Sequence, residues 1–273
     1  MKRILLYPTM RCNLKCPYCH FGVEQQERGY TWSGYEKDHY IESEISPDRF
    51  LKFIKDNAPM HIEFSGGEPT LYKGFKRLVN MLPCGCSWAI TSNTLTDIQG
   101  VDFEKCISWT ASGHVYNDIF KKNIAYIKSK TPNVSVSMVM TMKGFDKCVQ
   151  RAQGLAELRI RVNLLRELNP GVNWEKTKEW ETLVKMRAWG YNVVEDDIPG
   201  SFEFDSGYMC RGGSEYIAIM PDGLVYRCYS EAMNGQPIGK VKNFKFEPEP
   251  FKCDRPCLGC GEDHKARLFK LGE

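Results

Sequence analysis

The chain has 273 residues, a formal net charge of +3 at pH 7 and a mean hydropathy of −0.43. Its 42% hydrophobic and 26% charged residues are ordinary for a globular protein and argue against a disordered chain. Apolar runs fall short of the roughly 18 residues that a membrane-spanning helix needs, and the first residues form too short an apolar core for a signal peptide. The small net charge gives no reason to expect a membrane or nucleic-acid partner, and we expect a cytoplasmic protein.

Short apolar or β-branched runs alternate with helical patterns from about residue 3 to residue 197. Strands separated by helices predict a parallel sheet with crossover helices, and this many units predict an α/β fold, a partial (β/α)6 TIM-like barrel. The predicted strands are Arg3–Thr9, His61–Ser65, Ser87–Ser92, Ile107–Ser112, Val134–Thr141, Arg159–Leu165 and Tyr191–Val194. The predicted helices are Pro47–Asn57, with a Ser46 hydroxyl cap and Pro47 at its first position, then Leu71–Met81, Asp118–Lys130, Asp146–Leu155 and Trp174–Trp189.

Two stretches break this alternation. Residues 23–45 mix acidic and aromatic side chains without a clear period, which predicts a long loop or a short irregular helix. Beyond residue 200, two short apolar runs flank Pro221-Asp222-Gly223, which predicts a β-hairpin. We therefore expect one domain over residues 1–200 and a small hairpin domain over residues 201–273, in which bound metal supplements a small core.

Cysteine is unusually frequent, with 12 residues. Eight of them lie in two groups towards the two ends of the chain, and without a secretory signal such clusters bind metal more often than they form disulfides. The four cysteines between the groups are predicted to be small buried hydrophobic residues, namely Cys84, Cys86, Cys106 and Cys148.

The first group is Cys12, Cys16 and Cys19, on a loop that directly follows the first predicted strand. Ligands gather at the carboxyl ends of the strands in parallel α/β folds. Three thiolates on one tight loop can hold three corners of a cubic iron–sulfur cluster and leave the fourth iron open. A structural zinc site, which normally takes four protein ligands, and a loop of reduced cysteines are the alternatives.

A second motif, Ser65-Gly66-Gly67-Glu68-Pro69-Thr70, closes the second predicted strand. Two glycines let a backbone approach a ligand closely, and Glu68 offers a charged acceptor for an ammonium group. An ordinary strand-to-helix turn would look similar. Its position one unit after the cysteine loop favours a binding site built by both motifs.

Together with Tyr18 before the last cysteine, these motifs resemble those of the radical S-adenosylmethionine (radical SAM) superfamily. The resemblance spans roughly residues 3–197. It implies that Cys12, Cys16 and Cys19 bind a four-iron four-sulfur cluster whose open iron is chelated by S-adenosylmethionine (SAM). It further implies that Gly66, Gly67 and Glu68 bind the methionyl end of SAM, and that Tyr18 lies near the adenine or the cluster.

Other strand ends offer less specific candidates for cofactor contacts. The hydroxyl and amide groups of Ser92, Asn93 and Ser112 could bind the carboxylate or ribose of SAM, or cap loops. Leu165 and its neighbour Leu164 could pack against adenine or belong to the core.

The second cysteine group comprises Cys210, Cys228, Cys257 and Cys260, with Cys253 as a fifth thiol. The spacing resembles the twitch, or truncated SPASM, appendage of some radical SAM enzymes, which implies that the first four bind one auxiliary four-iron four-sulfur cluster. Cys253 could replace one of them or stay outside the site. A zinc-ribbon-like staple is the alternative.

The resemblance implies an enzyme that cleaves SAM reductively to a 5′-deoxyadenosyl radical, with an electron from a flavodoxin- or ferredoxin-type donor. We expect hydrogen abstraction from a polar small-molecule or peptide substrate, and an oxidation or rearrangement completed with help from the auxiliary cluster. The alternatives are a peptide-modifying maturase, a glycyl-radical activase, and a non-catalytic zinc, iron–sulfur or electron-transfer protein. The sequence singles out no catalytic side chain; residues near the predicted mouth that could bind substrate or be solvated surface are His114, Arg166, Glu167, Glu195, Asp196 and Asp197.

Overall fold

A computed structural model describes residues 1–16, 19, 43–166, 177–194, 208–233, 236–252 and 268–270. In these ranges the strands are β1 (Lys2–Leu6), β2 (Met60–Phe64), β3 (Ser87–Ser92), β4 (Cys106–Ser112), β5 (Val134–Met140), β6 (Arg161–Arg166), β7 (Asn192–Val194), β8 (Tyr208–Cys210), β9 (Tyr216–Ile219), β10 (Leu224–Tyr226), β11 (Gly239–Lys240), β12 (Phe251–Lys252) and β13 (Leu268–Lys270). The helices are α1 (Pro47–Asn57), α2 (Phe75–Asn80), α3 (Asp118–Lys130), α4 (Phe145–Glu157), α5 (Lys178–Ala188) and α6 (Tyr229–Met233).

Strands β1 to β7 lie side by side in chain order, and every adjacent pair among them is parallel. Crossover helices α1 to α5 cover one face of this sheet. The predicted α/β fold is confirmed, and the bounds of α1, α3 and β3 are the predicted ones. Among the described helices, none combines the length and apolar character that crossing a bilayer requires.

The core lies between the helices and the apolar face of the sheet. Ile4, Phe64, Trp88 and Trp109 are buried there, and the two indole rings meet edge to face at 6.3 Å. The side chains that alternate with these along each strand point to the opposite face. The large apolar core therefore lies on the helix-covered side of the sheet, and a smaller apolar cluster that includes Tyr7, Ala218 and Tyr226 lies on the opposite side at β1 and β9.

The predicted hairpin forms at Pro221-Asp222-Gly223 and extends the main sheet. Strand β9 pairs with β1 in parallel, with Arg3 opposite Tyr216 and Leu6 opposite Ile219, and β10 then pairs with β9 in antiparallel orientation. A separate antiparallel sheet has the order β12-β8-β13. The domain boundary near residue 200 stays a prediction.

The predicted helix Leu71–Met81 is wrong in its first turns. A 3-10 turn occupies Pro69–Leu71, and helix α2 begins only at Phe75. The cause is Tyr72, whose backbone is extended and whose buried hydroxyl donates to the Ile45 carbonyl at 2.7 Å. This tertiary contact keeps Tyr72 extended, so the helix cannot begin before it.

Three other predictions are not confirmed: one is wrong, and two lie largely outside the described residues. Ser46 stands at the N-cap of α1, yet its side chain forms no capping hydrogen bond. Pro47 still favours a helix start here, because its fixed φ suits the first helical position and its missing amide would have no partner within the helix. The predicted loop over residues 23–45 and the first residues of the predicted helix Trp174–Trp189 lie largely outside the described ranges.

Candidate functional site

Three loops meet at one edge of the sheet, because β1, β2 and β3 are adjacent and parallel. The cysteine loop follows β1, the Gly-Gly-Glu turn follows β2, and Ser92 ends β3. The first two loops are hydrogen-bonded to each other: the Gly67 amide donates to the Thr9 carbonyl at 3.2 Å and the Glu68 amide to the Arg11 carbonyl at 2.8 Å. The turn therefore fixes the start of the cysteine loop.

The glycines of this turn leave room for the cysteine loop. A Cβ added to Gly67 would lie 2.4 Å from the carbonyl oxygens of Met10 and Arg11. Gly66 has a φ of +119°, and a Cβ there would lie 2.7 Å from the Thr9 oxygen. Backbone packing between the two motifs thus requires glycine at both positions, and contact of these glycines with SAM stays a prediction.

Glu68 is buried beneath this edge, with 1% of its surface exposed. Its Oε1 accepts from the Thr70 hydroxyl at 2.5 Å and the Ser92 hydroxyl at 2.7 Å, and its Oε2 accepts from the Asn93 amide at 2.6 Å. Burial raises the pKa of the Glu68 carboxyl, while these donors oppose the rise. The side chain joins the end of β2 to the end of β3, and its predicted contact with an ammonium group remains untested.

Asn93 continues this connection to the cysteine loop. Its Nδ2 donates to Asn13 Oδ1 at 2.5 Å and lies 4.0 Å from Cys12 Sγ, while its Oδ1 accepts from the Leu95 amide at 3.1 Å. Ser92 and Asn93, predicted as cofactor contacts, are both buried. The structure places them between Glu68 and the cysteine loop, an arrangement that sequence spacing did not indicate.

The three thiols of the loop lie within electrostatic reach of one another. The Cys19 amide donates to the Cys16 carbonyl at 3.0 Å, which forms a turn between these two residues. Burial raises the pKa of Cys16 to about 11, and the charges of Cys19 and Cys12 add to the rise. Partial desolvation also raises the pKa of Cys12.

This donor set fits an iron–sulfur cluster in its chemistry. Thiolates that raise one another's pKa are stabilised when cationic iron binds, because a coordinating thiol is deprotonated by the metal. Within the described ranges, no group of three or more His, Cys, Asp or Glu side chains is arranged to hold a single metal ion. In a cubane each cysteine binds a different iron, so its ligands stand farther apart than the ligands of one ion.

Tyr229, the neighbour of Cys228 in the chain, lies close to this loop. Its ring stacks on Tyr7 with centroids 5.9 Å apart, just beyond the end of β1. Burial raises the pKa of Tyr229, and the charge of Cys19 adds to the effect. Cys228 directly precedes this tyrosine in the chain and is half-buried.

The rest of the second group is described only in part. Cys210 ends β8, where its Sγ accepts from the Gly212 amide at 3.3 Å. Cys253, Cys257 and Cys260 lie outside the described residues, as does Tyr18 of the first motif. The four-cysteine auxiliary site therefore stays a prediction.

From β2 to β7, the face of the sheet opposite the helices is largely polar, and sequence reasoning missed this feature. His61 Nδ1 hydrogen-bonds the Ser87 hydroxyl at 2.9 Å, and Arg3 pairs with Glu63 at 2.5 Å. Farther across the sheet, hydrogen bonds join Thr110 to Ser135, Ser137 to Asn163, and Asn163 to Asn192. The alternation Val-Ser-Val-Ser in β5 was the available signal, since strands of parallel sheets buried on both faces are apolar throughout.

The remaining predicted residues fall on both faces. Ser112 ends β4 and Leu165 lies in β6, both half-buried, and their cofactor contacts stay predictions. Leu164 is fully buried in the core, which is the second of the two alternatives that its sequence position left open. Burial lowers the pKa of His114 to about 4, which makes it neutral near pH 7.

The other mouth residues, the Arg166 side chain and Glu167, Glu195, Asp196 and Asp197, lie outside the described parts. Of the four cysteines that lie between the two groups in the sequence, Cys86, Cys106 and Cys148 are buried as predicted. Cys84 is exposed, because it stands in the tight turn before β3, and its predicted burial is wrong.

Comparison with known proteins gives partial matches to two cyclases. GTP 3′,8-cyclase of Vibrio atlanticus (strain LGP32) is 25% identical over 173 residues, which cover 61% of this chain and 48% of that protein. PqqA peptide cyclase of Bradyrhizobium diazoefficiens is 34% identical over 79 residues, or 28% of this chain and 17% of that protein. The chain thus matches half or less of the length of these relatives.

Solved structures share the fold at low identity. Streptococcus suis SuiB bound to precursor peptide SuiA superposes with a TM-score of 0.60 and 14% identity, over 90% of this chain and 64% of that one. The anSMEcpe protein with bound AdoMet and Cp18Cys peptide gives a TM-score of 0.54 and 16% identity, over 88% and 77% of the two chains.

The Radical SAM superfamily model matches residues 6–96. This range holds the three cysteines of the first loop, the Gly-Gly-Glu turn and the end of β3, which are the elements that the hydrogen bonds above join together. The resemblance seen in the sequence is therefore confirmed over residues 6–96, about a third of this chain.

Proposed function

We propose that this protein is a radical SAM enzyme whose reaction site is the edge formed by the ends of β1, β2 and β3. The proposal rests on the backbone hydrogen bonds that join the start of the three-cysteine loop, at Thr9 and Arg11, to the Gly-Gly-Glu turn. When bound, the cluster and SAM would supply the one-electron chemistry by which hydrogen is abstracted from a substrate.

The chain's own residues would hold and shape that site. Cys12, Cys16 and Cys19 would bind the cluster, and the Gly66–Glu68 turn would hold the methionyl end of SAM. The buried Glu68 and Asn93 would keep the two loops in fixed relation, because each bridges two elements through short hydrogen bonds. A site held in this way needs little reorganisation when its ligands arrive.

The polar face of the sheet favours a polar substrate. Hydroxyl, amide and charged groups along β2 to β7 offer hydrogen bonds that an apolar substrate would leave unsatisfied. The similarity to structures captured with SuiA and Cp18Cys peptides favours a peptide. The match to GTP 3′,8-cyclase, which extends over more of this chain than the PqqA cyclase match, favours a polar small molecule as the second candidate.

We further propose that Cys210, Cys228, Cys257 and Cys260 bind an auxiliary four-iron four-sulfur cluster. The position of Tyr229, next to Cys228 in the chain and within electrostatic reach of Cys19, supports a site close to the first loop. Such a cluster would accept or return the electron of a substrate radical, and a flavodoxin- or ferredoxin-type protein would reduce the first cluster.

The test is anaerobic iron–sulfur reconstitution followed by dithionite and SAM, with 5′-deoxyadenosine as the product measured. We expect product from the wild type and from Cys84→Ala, the exposed cysteine outside both groups, and none from Cys16→Ala. A wild-type protein with full iron content that forms no 5′-deoxyadenosine would refute the proposal, as would isolation with zinc and no iron.

A further inference from the structure

A basic groove of about 720 Å³ runs along helix α1 on the helix-covered side of the sheet. One wall is a face of α1 that carries Arg49, Lys52 and Asp56, and the other is the segment 241–246 that follows β11. Lys2, at the amino end of β1, closes it. The cysteine loop follows the opposite, carboxyl end of β1, so the groove is separate from the proposed reaction site.

Positive charge is concentrated in this groove. Five cations line it against one acid, a formal charge of 5 − 1 = +4, whereas the whole chain carries +3. The remainder of the protein therefore sums to 3 − 4 = −1. Among the described residues only Lys52 of these cations has an ion-pair partner, Asp56 at 2.8 Å, while Arg49, Lys242 and Lys245 are exposed.

The floor of the groove is aromatic. Phe53 packs against Phe246 and Phe244 with centroids 6.3 Å and 6.4 Å away. The Lys2 ammonium covers the Phe246 ring at 4.3 Å from its centroid, and Phe53 is only 4% exposed. Phe244 and Phe246 are half-buried, so part of their apolar surface remains open to the groove.

We propose that this groove docks an acidic segment of the peptide substrate, remote from the residue that reacts. The carboxylates of such a segment would meet the lysines and arginine of the walls, and its apolar side chains would meet the open parts of Phe244 and Phe246. The identification of the segment as substrate rests on the proposed function; the docking itself rests on the charge and shape of the groove.

The experiment uses the full, reconstituted protein and a fluorescein-labelled peptide in which glutamate alternates with leucine, with binding followed by fluorescence anisotropy. We expect saturable binding that weakens as salt is raised, because exposed charges are screened. Lys242→Glu/Lys245→Glu should weaken binding by roughly tenfold or more, about 1.4 kcal/mol. The matched control, Lys121→Glu/Lys122→Glu on α3, has the same net charge change on exposed residues and should bind as the wild type does.

Equal losses in both double variants would overturn the proposal, since only overall charge would then matter. Tighter binding of an oligodeoxythymidine, or equal binding of a peptide with glutamine in place of glutamate, would overturn it as well. SAM cleavage without substrate is measured in parallel. A wild type that binds the peptide and does not cleave SAM would refute the proposed function and the identification of the segment as substrate, while the docking of an acidic segment would stand. Unchanged SAM cleavage in the groove variants would confirm that they are correctly folded.

Discussion

Replacing Gly67 by alanine tests whether the Gly-Gly-Glu turn braces the cysteine loop. The new Cβ would lie 2.4 Å from two carbonyl oxygens, 0.6 Å inside the 3.0 Å that real Cβ contacts respect. Both neighbours are backbone atoms of residues 10 and 11, so no side chain can rotate away. The turn and the loop must separate.

The cost follows from the contacts that separation breaks. Overpacking costs about 1–3 kcal/mol, and each of the two hydrogen bonds between the motifs contributes about 0.5–1.5 kcal/mol. We expect Gly67→Ala to lower the free energy of unfolding by about 3 kcal/mol and to reduce the iron bound on reconstitution. Urea unfolding of the reduced, iron-free protein measures the first effect, and iron analysis measures the second.

Gly154→Ala is the matched control. Gly154 lies inside α4, and nothing stands within 4 Å of the Cβ it would gain. This substitution should stabilise the protein by about 0.5–1 kcal/mol through helix propensity. If Gly67→Ala unfolds within about 0.5 kcal/mol of the wild type and keeps its iron, the bracing role is wrong.

Three further results are expected. Glu68→Gln must place an amide against at least one buried donor, so stability should fall by about 1–3 kcal/mol in urea titrations, and an unchanged midpoint would contradict the network with Asn93. The pKa of His114 is about 4 in the fold against 6.5 unfolded, so the unfolded state binds more protons between these values and stability should fall as pH drops from 6.5 towards 4. His114→Gln should flatten that dependence by about 2 kcal/mol between pH 7 and pH 5, and equal slopes would argue against it. Cys228→Ala should lose about four irons per chain while Cys253→Ala loses none. Iron loss in Cys253→Ala and none in Cys228→Ala would instead identify Cys253 as the cluster ligand.

The sequence predicted the elements whose signals are local. Helix α3 has an Asn117 cap that accepts from the Phe120 amide, and the hairpin has its Pro-Asp-Gly turn, so both appear where they were expected. The late start of α2 could not be foreseen, because it depends on the hydroxyl of Tyr72 reaching Ile45 across the fold.

The same limit applies to the candidate site. The cysteines and the Gly-Gly-Glu turn were visible as motifs, but the reason for the glycines was not. Their closest neighbours are backbone atoms more than 50 positions away, at residues 9–11. The link from Glu68 through Asn93 to Asn13 likewise joins three separate loops, and no spacing rule relates them.

The pairing of β1 with both β2 and β9 has a consequence for synthesis of the chain. Residues 2–6 leave the ribosome long before residues 216–219, so one edge of β1 stays unpaired over the synthesis of about 150 residues after β2 has formed. During that interval β1 is an exposed edge strand, open to pairing with another chain. Because the cysteine loop directly follows this strand, the loop reaches its final position only after β9 has been made.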